Sequence, residues 1–357
     1  MKGIVVVQTA FLGDVVLTTP LLRELRRTHP GARISLVASP VGAEALAGQP
    51  FLDEIEVLDK KGRGRGPIAL LALAARLRGA DAAVAAQRSA RTGILVRASG
   101  ARRRVGFEGA AGAFGYTDAV PWVAERHAAV RYLELARPIG GKPEEADARP
   151  RLEVRAAEGA RVEERLRENG IGPGARLLAV APGSIWGTKR WIPSGFASVL
   201  RGAEERGLAP VLVGSPGEGP LCEEIARAAG VGAPVLAGRL TIPALAALLR
   251  ASEALVSNDS GAGHVASAVG TPVVTVFGPT VPAFGYAPFG RDHRIVEHPA
   301  LDCRPCHRHG PDRCPLGHFR CMREIGPETV LSALDDALAA RAPRAQETTG
   351  RDDLPAR

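Results

Sequence analysis

Short apolar runs alternate along this chain with longer segments in which apolar residues recur at helical spacing. Ile4 to Val7 precedes a helix-like stretch from Asp14 to Thr28, and Ile34 to Ala38 precedes Val41 to Ala47. Glu54 to Leu58 precedes Ile68 to Leu77, and Ala82 to Ala86 precedes Thr92 to Ala98. The pattern restarts with Leu177 to Ala181 before Phe196 to Glu205, then Pro210 to Val213 before Cys222 to Ala229. Val235-Leu236 precedes Ile242 to Leu249, Leu255-Val256 precedes His264 to Val269, and Val273 to Phe277 closes the series. Strands that are continuously apolar and separated by helices predict parallel sheets covered on both faces. The chain therefore reads as α/β, with two doubly wound parallel sheets facing each other across a cleft.

Gly140 to Pro150 is polar and rich in glycine and proline, as linkers are. It divides the chain into two expected domains, 1–150 and 151–342, while the polar, aperiodic residues 343–357 read as a disordered tail. Gln49 to Phe51 and the glycine-rich Gly106 to Gly115 read as loops.

With 357 residues, each half is long enough to bury its own core. Hydrophobic residues make up 45% of the chain but aromatic ones only 4%, so the cores must be built from Ala, Leu and Val. The run Ile4-Val5-Val6-Val7 is too short for a secretion signal and stops at Gln8 and Thr9. No stretch approaches the roughly 20 apolar residues that cross a bilayer. A soluble, cytoplasmic protein is expected. The net charge of +8 favours polyanions and anionic membrane faces, although arginine is used heavily throughout. The sharpest basic cluster, Lys60-Lys61-Gly62-Arg63-Gly64-Arg65-Gly66, has no interleaved aromatic residues to stack bases. Nucleic acid is not an expected partner.

Candidate chemistry sits at strand-to-helix junctions. Asn258-Asp259-Ser260-Gly261-Ala262-Gly263-His264 follows a strand and opens a helix ended by Gly270. Small residues there expose the first backbone N–H groups of the helix, which, with the helix dipole, favour bound anions. Beyond Leu177 to Ala181, the segment Pro182 to Trp191 brings the hydroxyls of Ser184 and Thr188 together with Lys189 and Arg190. Two such loops in one half predict a nucleotide diphosphate site, because open parallel sheets bind ligands at the carboxyl ends of their strands. The equivalent loop of the first half, Thr9 to Asp14, carries a carboxylate instead. One half would then hold a nucleotide donor while the other presents a base and an acceptor. No G-x-G-x-x-G follows the first strand, which disfavours a dinucleotide oxidoreductase.

Phe11-Leu12-Gly13-Asp14-Val15-Val16, Pro182-Gly183-Ser184 with Lys189-Arg190-Trp191, Asn258-Asp259-Ser260-Gly261 with His264, and Val276-Phe277-Gly278-Pro279-Thr280 form an ordered set. Together they resemble the bacterial heptosyltransferases of glycosyltransferase family nine, from about residue 2 to about residue 335. The resemblance implies a GT-B fold of two Rossmann-like domains, the first binding the acceptor and the second the ADP-sugar. It also implies transfer of L-glycero-D-manno-heptose from ADP-heptose to the lipopolysaccharide inner core, with inversion and without a required metal. Within the family the sequence is most similar to the enzymes that add the second heptose.

By the same resemblance, Asp14, next to Gly13, is the general base that takes the acceptor hydroxyl's proton; the alternative is that Asp14 caps the helix running to Thr28. Lys189 matches the lysine that contacts the departing diphosphate. Ser184 and Thr188 could donate to the same phosphates or serve as turn and cap residues. Asp259 matches a position close to the donor, with an N-cap role, open also to Ser260, as the alternative. Ser260, Gly261, Ala262, Gly263 and His264 match the loop around the diphosphate, with His264 a neutral hydrogen-bonding group. Leu240 aligns with an apolar residue packed on adenine, or is simply core. Glu218 lies near a position where relatives place an acidic ribose ligand, but at a different offset. Arg190 is expected to face solvent. Arg88 and Arg91 either meet acidic groups of the acceptor or are ordinary surface residues.

Cys303, Cys306, Cys314 and Cys321 fall close together with His307, His309 and His318 among them. In a cytosolic chain such a cluster favours a structural zinc ion over disulfides, but only Cys303 and Cys306 have C-x-x-C spacing, so free thiols are an equal alternative. Cys222 is expected to be buried in a helix. Competing readings are another GT-B transferase with a different sugar or acceptor, and a non-enzymatic nucleotide-binding protein. An anionic lipopolysaccharide acceptor would draw the cationic protein to the cytoplasmic face of the inner membrane, as a peripheral contact.

Overall fold

The structure, a computed structural model, describes residues 1–60, 62 and 66–340. The expected tail at 343–357 and Lys61, Arg63, Gly64 and Arg65 of the basic cluster lie outside the described residues. In the first half, β1 (Gly3–Gln8), α1 (Leu12–Leu17), α2 (Thr19–Thr28), β2 (Arg33–Ala38), α3 (Pro40–Ala45) and β3 (Glu54–Val57) follow one another. Then come α4 (Pro67–Arg76), β4 (Ala82–Ala85), α5 (Ala90–Ala98), β5 (Arg103–Phe107), β6 (Asp118–Val120) and α6 (Ala128–Glu134). The sheet runs β3-β2-β1-β4-β5-β6 and every pair is parallel, the order of a doubly wound fold.

The second half begins with α7 (Ala156–Glu168), β7 (Leu177–Ala181), α8 (Pro193–Glu205), β8 (Ala209–Leu212), α9 (Gly219–Ala229) and α10 (Ile242–Ala251). It continues through β9 (Ala254–Asn258), α11 (Gly261–Ala268), β10 (Val273–Phe277), β11 (Arg294–Glu297), α12 (Arg320–Arg323) and α13 (Pro327–Ala339). Its parallel sheet runs β11-β10-β9-β7-β8. Val235, expected in a strand, makes a single bridge to Leu212 beside β8. Counting that bridge as an edge position, the second sheet repeats the winding of the first. The result is an α/β, GT-B-like architecture.

Local chemistry explains where the elements depart from the sequence pattern. The helix expected from Asp14 to Thr28 breaks at Thr18, because Pro20 has no N–H to give to the carbonyl of Val16. The Thr19 hydroxyl donates to that carbonyl instead, at 2.8 Å. Gly106, expected in a loop, lies inside β5, where a Cβ would come within 2.2 Å of the Tyr116 ring. The glycine makes room for an aromatic residue laid across the strand. The Gly140–Pro150 segment is not a free linker. The Lys142 N–H donates to Glu24 of α2 at 2.9 Å, and the Arg151 N–H donates to the Thr19 hydroxyl at 3.1 Å.

Each sheet carries an outer apolar cluster, and one large cluster runs through both halves. In it Val15 and Val16 of α1 join Val265 and Ala266 of α11, all fully buried. Each such side chain contributes roughly 1.5–3 kcal/mol for a valine, so the two sheets are welded along α1 and α11. This close approach needs small residues. A Cβ on Gly13 would stand 2.5 Å from His264 Cδ2, and one on Gly261 3.1 Å from a methyl of Leu12. Among the described residues, no helix is long and apolar enough to cross a membrane.

Candidate active site

The loops that leave the carboxyl ends of β7, β9 and β10 converge on Lys189 and Asp259. Lys189 ends a short turn, and its Nζ lies 2.5 Å from Asp259 Oδ2 with both side chains half-buried. The same carboxylate oxygen accepts the Thr280 hydroxyl at 2.8 Å. Buried Asn258 ties the loops together: its Oδ1 accepts the Trp191 N–H at 2.9 Å, and its Nδ2 donates to the Pro182 carbonyl at 2.7 Å. Trp191 is itself buried and donates its indole N–H to the Ile325 carbonyl at 3.1 Å. Glu218 stands against the same turn, since a Cβ on Gly183 would fall 2.0 Å from its carboxyl group.

Asp259 and Ser260 do not cap α11. Ser260 occupies the N-cap position without a side-chain hydrogen bond, and Asp259 is committed to Lys189. The first N–H groups of α11, at Gly261, Ala262 and Gly263, therefore lack a side-chain acceptor, which is the condition for holding an anion. Thr188 is committed as well, its hydroxyl donating to the Pro311 carbonyl. Ser184 is buried, and its carbonyl accepts Arg190 Nε at 2.8 Å; Arg190 is exposed to solvent, as expected, while reaching back to its own loop. Leu240 lies apart. It lines a separate cavity of about 210 Å³ between α7 and the start of α10, with Glu158 and Val162.

The carboxylate of the first half faces a different partner. Asp14 lies within the first turn of α1, whose N-cap is Phe11, so Asp14 is not the cap. Its Oδ1 accepts the hydroxyl of Tyr132, from α6, at 2.8 Å. Desolvation is the largest influence on Asp14 and raises its pKa above the ordinary carboxylate value, despite the Tyr132 hydrogen bond and the Arg131 charge that oppose it. Some solvent contact remains. A carboxyl shifted this way is closer to the range useful for a general base. Between the two clusters sits His264, buried against Gly13, and burial drives its pKa down to about 4. The imidazole is neutral near pH 7.

Tyr132 and Thr280 are the residues that sequence reasoning did not single out. Thr280 lies in a quoted motif, whereas Tyr132 lies in an unremarkable helix and is recognisable only by its contact. The cysteine cluster departs from the zinc expectation. All five cysteines are free thiols, and among the described residues no group of three His, Cys, Asp or Glu is arranged to hold a metal ion. The Cys306 thiol instead donates to the Cys303 carbonyl at 3.0 Å. The segment they occupy braces the candidate site. Arg304 donates to the carbonyls of Gly278 and Thr280 at 2.5 and 3.0 Å, and Gly310 packs on the stem of Lys189. Cys222 is buried in α9, as expected.

Two facing doubly wound sheets, with a carboxylate on one side and a lysine and helix amides on the other, define a GT-B-type protein. The chain belongs to glycosyltransferase family 9 (heptosyltransferase), whose sequence profile matches residues 70–314. It is 28% identical over 165 residues to lipooligosaccharide heptosyltransferase 2 of Campylobacter jejuni, a match covering 45% of this chain and 51% of the relative. The chain thus spans about half the length of that relative. Similarity to lipopolysaccharide heptosyltransferase 3 of Escherichia coli K12 extends over 351 residues at 25% identity, 93% of this chain and 97% of the relative. The crystal structure of a family 9 glycosyl transferase from Veillonella parvula has the same fold, with a TM-score of 0.84 at 24% identity, covering 95% of this chain and 98% of that one.

Proposed function

We propose that this protein is an inverting glycosyltransferase that moves L-glycero-D-manno-heptose from ADP-heptose to the lipopolysaccharide inner core, adding the second heptose. Family membership supports the reaction class. The observation that carries the mechanism is the opposition of Asp14, desolvated and held by Tyr132, to Lys189 and the uncapped amides of α11. In this reading residues 1–150 bind the acceptor and residues 151–342 the donor.

Asp14 removes the proton of the acceptor hydroxyl as that oxygen attacks the anomeric carbon from the face opposite ADP, which inverts the centre. Negative charge then grows on the departing diphosphate. Lys189 Nζ and the N–H groups of Gly261 to Gly263 meet it, so the developing charge is stabilised more than the ground state. Asp259 would repel a diphosphate were it alone. Its ion pair with Lys189 keeps the lysine oriented, and Thr280 fixes the carboxylate. With the Lys189 cation and the α11 amides to take up the charge of the leaving group, this reaction needs no divalent ion. Ser184 adds a hydroxyl donor, and His264 stays neutral. The charge of +8 draws the protein to the anionic cytoplasmic face of the inner membrane.

The test is incubation with ADP-heptose and a defined truncated core acceptor, with and without a chelator, followed by mass measurement. A gain of one heptose residue that persists under chelation is expected and is abolished by Asp14→Asn with ADP binding retained. Full turnover by that variant would remove Asp14 from the mechanism. Transfer only from another nucleotide sugar in a donor panel would replace heptose with that sugar.

A further inference from the structure

Helix α4 contains a single polar residue, Arg76 at its end, yet it lies at the surface. A helix that is apolar all round is normally covered on every side. Here Leu73, Ala74 and, just past the helix, Leu77 enter the outer apolar cluster of the first sheet beside Leu95 and Val96 of α5. That packing covers one face only. The opposite face carries Ile68, Leu71, Ala72 and Ala75 in one stripe along the helix, with Ile68 81% and Leu71 60% exposed. Beside α4, α5 adds Ile94, 44% exposed. The turn Ala113–Gly115 packs so tightly on α5 that a Cβ on Gly115 would fall 2.3 Å from the Gly93 carbonyl, and it holds out Phe114, 63% exposed. Single exposed apolar side chains are ordinary on a protein surface. A stripe on an apolar helix, continued by its neighbours, marks a surface with a partner.

Charge identifies the partner. From Lys60 to Arg104 the sequence holds twelve Lys and Arg and one acid, Asp81, a net charge of +11 against +8 for the whole chain. The excess cationic charge is therefore confined to this part of the first half. Asp81 is itself committed, accepting the backbone N–H groups of Lys2 and Gly3. Arg78, directly after α4, and Arg97, one turn from Ile94 on α5, are exposed. Nucleic acid would use the cations and leave the apolar stripe wet, whereas the interface of an anionic bilayer takes both. Lys60, between β3 and α4, lies near enough to Asp14 and Arg91 for both charges to act on it, so the chain entering α4 runs beside the candidate base. We propose that the outer face of α4 and α5 seats the protein on an anionic bilayer. Ile68, Leu71, Ile94 and Phe114 enter the headgroup boundary, while Arg78 and Arg97 meet lipid phosphates. A lipid-anchored acceptor sugar then reaches Asp14 at the membrane surface. That last step rests on the proposed acceptor; the docking itself does not.

The test is co-sedimentation of the full chain with vesicles of phosphatidylglycerol and phosphatidylethanolamine, and with phosphatidylcholine alone, at low and high salt and without donor or acceptor. The protein partitions onto the anionic vesicles roughly tenfold or more above phosphatidylcholine. Ile68→Gln combined with Leu71→Gln keeps the charge and lowers that partition roughly tenfold, because the stripe no longer leaves water. Arg78→Gln combined with Arg97→Gln lowers it by roughly the same factor at low salt and by less at high salt. All four side chains are exposed, so both variants keep the wild-type melting temperature. Equal binding to the two kinds of vesicle, no binding, or unaltered partition in either variant would overturn the proposal. So would a dimer in sedimentation velocity that Ile68→Gln with Leu71→Gln abolishes, since a second copy then covers the stripe. Failure of heptose transfer would leave the result standing, since no turnover is measured.

Discussion

Replacing Tyr132 with Phe removes one oxygen and isolates its influence on Asp14. The Tyr132 hydroxyl donates to Asp14 Oδ1 at 2.8 Å and stabilises the ionised carboxylate, against the burial that raises the pKa. A hydrogen bond to a charged group is worth about 1.5–3 kcal/mol. At about 1.4 kcal/mol per pKa unit, its loss should move Asp14 upward by roughly one to two units. The base acts only when ionised, so activity disappears as pH falls through this pKa. Tyr132→Phe therefore shifts the acid limb of kcat/KM to higher pH by one to two units, and turnover recovers above it. The assay is initial-rate heptose transfer across pH at subsaturating acceptor, with melting temperature as a control for the buried site. An unmoved acid limb in a folded variant would refute the coupling between Tyr132 and the base.

Gly13→Ala puts a methyl 2.5 Å from His264 Cδ2 at the junction of the halves, so it should cost about 1–3 kcal/mol in a denaturant titration; His264→Ala in the same chain should recover part of that loss. Lys189→Gln leaves Asp259 unpaired beside the leaving group, and should lower kcat/KM by roughly a hundredfold; calorimetry should show weaker ADP binding than in Asp259→Asn. His264, held near pKa 4 by burial, stays neutral from pH 5.5 to 8, which NMR would report as flat ring shifts. Because its folded pKa lies below the unfolded value of about 6.5, its share of stability is complete above pH 6.5 and is lost as pH falls toward 4. His264→Gln should therefore flatten the acid side of the stability profile.

The alternation of apolar strands and helices was legible from local pattern alone. Leu177–Ala181 and Val273–Phe277 form strands with the expected ends, because a buried parallel strand is apolar along its whole length. Elements with weaker patterns escaped: β5 contains Gly106 and α7 buries few residues along a polar sequence. The junction residues Lys189, Asp259 and Gly261 to Gly263 were also visible, since small and charged residues after such strands have few structural uses. What those side chains do was decided by packing. Asp259 and Thr188 had the composition of free polar groups, but one is paired with Lys189 and the other with the Pro311 carbonyl.

Short-range periodicity and junction chemistry thus set the sheets, their winding and the loops that bear reactive groups. Only the folded chain sets Tyr132 on Asp14, 118 residues away in sequence, and seats His264 against Gly13. The physical reason is range. Propensity and amphipathic period act over a few residues, whereas the pKa of Asp14 and the partner of Lys189 depend on how two separately wound halves meet along α1 and α11.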